Sequence, residues 1–231
     1  MSEAATPAVA AGNRVFTTRI VGGAGLALAA SVVVQNAVFF VGTEAPTYAA
    51  PLGEVLAYFA ENRVAVAVGL EAVNLPLLLL FVTGLHGLVQ RRGGAGADWS
   101  RLAVAAGATF SAVFALFQTT QIAVVLAADG LAEPTPAFEL VWQLHAAAFA
   151  LALPALGATF IGAALATHAS GLTRPWQRLL GVAGGSLPIL AGAGNLAIAD
   201  GSPLLFVGVA GFAAWLVWLV VTGLRLIRGQ G

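Results

Sequence analysis

The chain has no cysteine and no lysine, a single methionine and three histidines, and only 9% of its residues are charged. Each shortage excludes something. Without cysteine there are no disulfides, no thiolate chemistry and no cysteine-ligated metal. With a formal net charge of zero there is no basic face for nucleic acid. Soluble domains carry about 25% charged residues, and a chain with so few cannot cover a water-facing surface. Hydrophobic residues make up 59% of the chain, and mean hydropathy is +0.92. Lipid is the solvent that suits such a composition, so the lipid bilayer is the first expected partner.

What is there is a series of six long apolar runs, at about residues 20–41, 64–89, 102–127, 139–167, 179–199 and 204–227. Each is long enough to cross a bilayer, which takes about 20 residues. Residues 1–16 are polar, small and Pro-containing, and are expected to form a disordered cytoplasmic tail ahead of a single six-span domain, 17–228. Arg14 and Arg19 before the first run imitate a signal peptide, and Ala27-Leu28-Ala29 imitates its cleavage site. The run continues through Val38-Phe39-Phe40-Val41, too long for a signal h-region, and reads as an uncleaved anchor. Between the first two runs, Leu52, Val55, Leu56 and Phe59 recur at helical spacing, with Glu54 and Glu61 off that face. This pattern predicts a short amphipathic helix at the membrane surface. The expected fold class is therefore all-α: a six-helix transmembrane bundle with a short interfacial helix in the first outer loop.

Charge sets the expected orientation. Arg14, Arg19, Arg91, Arg92, Arg101, Arg174, Arg178, Arg225 and Arg228 fall on one side of the six runs, and only Arg63 on the other. Glu44, Glu54, Glu61, Asp129, Glu133, Glu139 and Asp200 collect opposite them. Cytoplasmic loops carry the arginine excess, so both termini are expected in the cytoplasm. The all-Arg, Ala- and Gly-rich composition suggests a GC-rich bacterial genome and hence the bacterial plasma membrane.

Polar residues inside the runs share a depth. Counted from the outer ends, Gln35 and Asn36, Glu71 and Asn74, Gln118 and Gln121, Gln143 and His145, and Asn195 all fall in the outer half. Polar groups at bilayer depth are costly unless they face one another or water. The shared level predicts a pocket for a small or lipid-like ligand, built from Asn36, Glu71, Asn74, Gln118, Gln121, Gln143, His145 and Asn195. Glu71 is the only carboxylate well inside a run, about 10 Å below its outer end at 1.5 Å per residue. A lone carboxyl there pairs with a cation or keeps its proton, and His145 is the partner at similar depth. The competing reading is an interhelical hydrogen-bond lock with no ligand, since buried polar groups must find partners whatever the protein does. Trp142, near a boundary, is expected to be an interfacial anchor.

Packing leaves further traces. Ala103, Gly107, Ser111 and Ala115 form a ladder of small residues on the third run, and Gly181 and Gly185 on the fifth. Pro76 predicts a kink near Ala72.

Nothing assembles into a catalytic constellation. Gly184-Gly185-Ser186 resembles the Gly-x-Ser of rhomboid intramembrane proteases, a family whose catalytic His lies on a later helix, and no His follows Ser186. There is no phosphate-binding Gly-rich loop with Lys and no His-Glu-x-x-His zinc site. His86 and His168, at the inner ends of two runs, could ligate a haem, but no motif supports it. No cofactor, no metal and no nucleic-acid partner are expected. The leading expectation is a non-enzymatic ligand-binding carrier or sensor. Behind it come a structural or accessory subunit and, last, a haem protein or intramembrane enzyme. Oligomeric state is open.

The C-terminal part carries a resemblance. Arg174-Pro175-Trp176-Gln177-Arg178-Leu179-Leu180-Gly181 leads into a Gly-rich run, and Phe206-Val207-Gly208-Val209-Ala210-Gly211-Phe212 leads to Gly223-Leu224-Arg225-Leu226. This resembles uncharacterised bacterial six-span membrane proteins, including domain-of-unknown-function family 4386, over about the last sixty residues. The resemblance implies the six-span layout and no activity, substrate or catalytic residue.

Overall fold

The structure, a computed structural model, describes residues 7–41, 45–63 and 73–229; in the first of these segments the side chains described are those of 17–38. Among the described residues the chain is helical and has no strand. In chain order the helices are α1 (Pro7–Val41), α2 (Leu52–Glu61), α3 (Asn74–Arg91), α4 (Ala97–Ala128), α5 (Pro136–Ala169), α6 (Pro175–Ala193), α7 (Asn195–Ala199) and α8 (Leu205–Ile227). Apolar runs of Ala and Leu favour helix, and in hydrocarbon only a helix or a closed barrel satisfies every backbone group. Local signals set the ends. Pro136 opens α5 behind Thr135, whose hydroxyl oxygen accepts from the Phe138 amide at 3.2 Å. Between α3 and α4 the chain turns through Gly93, Gly94 and Gly96 at φ 87°, 76° and 86°, a region that only glycine enters freely.

The six long helices close into an antiparallel ring. α1 packs on α3, α3 on α4, α4 on α5, α5 on α6 and α6 on α8, and α8 returns to α1. Rings fill the middle: Phe160 stacks on Trp215 at 4.1 Å, and Phe81 meets Trp218 edge-on at 6.2 Å. Bare backbone forms the seams. A Cβ at Gly185 on α6 would stand 2.6 Å from the Gly157 carbonyl oxygen of α5. A Cβ at Gly22 on α1 would stand 2.7 Å from the Gly223 oxygen of α8. Small residues permit such approach, and in lipid close packing is a main source of helix association. Of the expected ladders, Gly181 and Gly185 are buried against α5, while on α4 Ala103, Gly107 and Ser111 are buried and Ala115 is exposed.

Among the described residues, four helices are long and apolar enough to cross a membrane: Thr17–Val38 of α1, α4, α5 and α8. The other two long helices are shorter. α3 is described only from Asn74, with Pro76 in its first described turn; the expected kink near Ala72 lies outside the described residues. The fifth run is not one helix, because Gly194, at φ −97° and ψ 36°, separates α6 from α7. Glycine is among the poorest helix formers, and asparagine follows it here. The helix of α1 begins at Pro7, inside the segment expected to be a tail, where Ala8, Ala10 and Ala11 favour helix.

α2 forms where the amphipathic pattern predicts. Val55, Leu56 and Phe59 are buried, Tyr58 with them, and Glu54 and Glu61 are exposed. Its buried face packs on Val124 and Ala128 of α4 and on Phe138 and Trp142 of α5. The ring thus has an α2 end and an arginine end. Arg63, the one arginine at the α2 end among the described residues, forms an ion pair with Asp129.

Candidate functional site

Two separate polar contacts link helices near the α2 end. Between α1 and α3, the Asn74 amide nitrogen Nδ2 donates to Gln35 Oε1 at 2.5 Å, and both residues are buried. Between α4 and α5, His145 Nδ1 lies 3.1 Å from the Phe117 carbonyl oxygen and 3.3 Å from Thr120 Oγ1. A carbonyl only accepts, so Nδ1 carries a proton in this bond. The imidazole is also held between rings, stacked on Phe117 at 4.1 Å and on Trp142 at 5.2 Å, with Tyr48 edge-on at 6.0 Å. Trp142, expected to be an interfacial anchor, is buried and serves as a stacking partner of His145.

The register of α3 on α4 fixes the relative depth. His86 bonds Ser100 at 2.8 Å, and Gly107 lies against Val82. Extended along the pair, that register sets Asn74 level with Phe114, about one helical turn from Gln118. Gln35, Asn74 and Gln118 thus lie close in depth on three neighbouring helices. Their hydrogen bonding is incomplete. Asn74, 5% exposed, keeps its acceptor Oδ1 buried without a partner among the described residues, and Gln118, 9% exposed, does the same with its donor Nε2. Gln121 is buried one turn further along α4.

The remaining predicted residues lie elsewhere. Asn36 turns its amide to its own helix and donates to the Val32 carbonyl at 2.8 Å. Gln143 is exposed and donates to Glu139 Oε1 at 3.2 Å. With Leu196, Ala197, Ala199 and Asp200 it lines a shallow surface hollow of about 440 Å³ beside α7. Asn195 starts α7 and is half-buried. Glu71 lies outside the described residues. Tyr48 and Phe117, which flank His145, and Phe149, which meets both of those rings, carry no sequence signal of that role; Tyr48 reaches His145 from a loop that shares no periodicity with α5.

A second groove, about 690 Å³ and wholly apolar, runs between α1 and α8 and is lined by Leu26, Ala30, Val34, Val217 and Val221 among others. It faces outward, where lipid would lie. Among the described residues no three His, Asp or Glu side chains gather as metal ligands. At the arginine end His86 bonds Ser100, and His168 leaves Nδ1 buried without a partner among the described residues.

Four helices long and apolar enough to cross a bilayer, with Leu116, Leu126, Leu140, Leu151 and Phe206 exposed along them, are those of a helical membrane protein. Comparison with family models, with curated proteins and with solved structures finds no match to this chain.

Proposed function

We propose that this is a six-span integral protein of the bacterial plasma membrane, with both termini cytoplasmic, that receives the polar group of a small or lipid-like ligand between α1, α3 and α4. In this reading α3 and the α6–α7 pair complete the set of spans, and α2 lies in the outer interface. The arginine asymmetry supports the orientation, and the six long apolar runs of the sequence support the span count. One observation carries the ligand: a buried acceptor, Asn74 Oδ1, and a buried donor, Gln118 Nε2, have no partner among the described residues and lie about one helical turn apart in depth. An unsatisfied buried polar group costs about 1–3 kcal/mol, a cost that a partner able both to donate and to accept would remove.

Native mass spectrometry of the purified protein tests this. A small molecule or lipid should co-purify with the wild type and be lost from the Asn74→Leu/Gln118→Leu variant, whose stability should fall by no more than the loss of the Gln35–Asn74 bond, about 0.6 kcal/mol. Wild type and variant spectra without that difference end the ligand reading. The Gln35–Asn74 bond and the stacked His145 support a second reading, a structural or accessory subunit whose polar residues lock helices. That reading requires the same variant to melt lower and to lose no adduct. A reporter fused after Gly231 that is active in the periplasm would overturn the orientation.

A further inference from the structure

The arginine end of the ring carries free positive charge and exposed indole together. Of the five tryptophans in the chain, Trp142, Trp215 and Trp218 are buried, while Trp99 is 45% and Trp176 46% exposed. Both exposed ones lie at the arginine end, in the first turns of α4 and α6. These helices flank α5, whose last turns meet the start of α4 where Gly96 lies against Ala166 and Ala169. The only carboxylate at this end among the described residues, Asp98, is taken by Arg101 at 2.8 Å. Arg174 and Arg178, four residues apart around Trp176, are exposed and enter no ion pair among the described residues. From Trp176 an exposed stripe runs down α6 through Leu179, Ala183 and Leu190, at spacings that keep one helix face.

These features fit one kind of partner. An exposed indole with an apolar body and a single N–H suits the headgroup level of a bilayer. Unpaired guanidinium groups suit phosphate, which they meet through two parallel N–H donors. The apolar stripe, about a third of a turn around the exposed side of α6 from Arg178, suits an acyl chain. A zwitterionic lipid brings its own cation to its phosphate, whereas an anionic lipid leaves that charge for the protein. We propose that the start of α6 is a binding site for an anionic phospholipid, with its phosphate on Arg174 and Arg178, its backbone beside Trp176 and a chain along Leu179. This site is independent of the α1–α3–α4 polar groups.

The test is native mass spectrometry of the purified full chain with phosphatidylglycerol and phosphatidylcholine of identical acyl chains. Phosphatidylglycerol adducts should predominate. R174Q/R178Q should weaken them roughly thirty-fold, on the order expected for two cations at an anionic surface. R91Q/R92Q removes the same charge at the α3–α4 turn and should leave them within about two-fold, since it spares the phosphate contacts. R174K/R178K, which keeps the charge but not the paired donors, should bind more tightly than R174Q/R178Q and more weakly than the wild type. Equal loss from R174Q/R178Q and R91Q/R92Q would reduce the effect to diffuse charge and overturn the site, as would equal adducts of the two lipids.

Discussion

α5 meets its two neighbours by different means. Toward α6 it offers bare backbone, Gly157 against Gly185, so closely that neither position has room for a methyl group. Toward α4, at the α2 end, it offers His145, stacked on Phe117 and bonded to the Phe117 carbonyl. Lipid tails are as apolar as leucine, so burial alone gives little reason for helices to associate in a bilayer. The first seam relies on dispersion from a very short approach, the second on a hydrogen bond and ring stacking. A packed seam has no slack, whereas a polar seam can tolerate partial loss because each bond is worth little.

The sharpest way to break this contrast is to fill the glycine seam. Gly185→Leu places side-chain atoms where a Cβ would already be 2.6 Å from one oxygen and 2.7 Å from Ile161 Cγ1. It should cost about 3 kcal/mol or more, visible as a large fall in melting temperature in detergent. Gly23→Leu, in open space on α1, should change stability by less than about 0.5 kcal/mol. Similar melting temperatures for the two variants would remove the seam from the account.

A smaller effect is expected at His145. His145→Leu loses the stacking and the bond to Phe117, and should cost about 1–2 kcal/mol. His145→Phe keeps the ring and should recover roughly half of that in the same melting assay. If Phe behaves no better than Leu, stacking contributes nothing and the hydrogen bond alone holds the seam.

The smallest effect belongs to Gln35 and Asn74. A double-mutant cycle with Gln35→Leu and Asn74→Leu should give a coupling of about 0.6 kcal/mol, the usual size for a hydrogen bond between membrane helices. A coupling above about 2 kcal/mol would place this pair outside the ordinary range and erase the distinction between the two kinds of seam.

Much of the architecture is written in composition and spacing. The long apolar runs, the burial of Val55, Leu56 and Phe59 on α2 and the grouping of arginine at one end follow from patterns that physical chemistry reads directly. The site is harder, because depth can be counted along a helix but rotation cannot. Gln35 and Asn36 share a depth, yet one step of about 100° around the helix sends Gln35 to Asn74 and Asn36 to its own backbone. Gln143 and His145 differ likewise: two steps set one outside and the other among rings. On helices that are Ala-, Val- and Leu-rich all round, no polar face announces which side turns inward. The break at Gly194 was equally hidden, since an isolated glycine within an apolar run is often tolerated in a continuous helix.

The closing contact of the ring joins Gly22 to Gly223, positions separated by nearly the whole chain. At about 5–20 residues per second, α8 leaves the ribosome on the order of tens of seconds after α1. Until then the other helices can zip together in chain order, but the arc stays open along one edge. α1 must wait in lipid with its glycine face uncovered and only α3 beside it. The slowest and most error-prone moment of biogenesis should therefore be the last, when α8 enters and the arc becomes a ring. A chain that stalls before that point would present its open edge to other membrane proteins and to the proteases that patrol them.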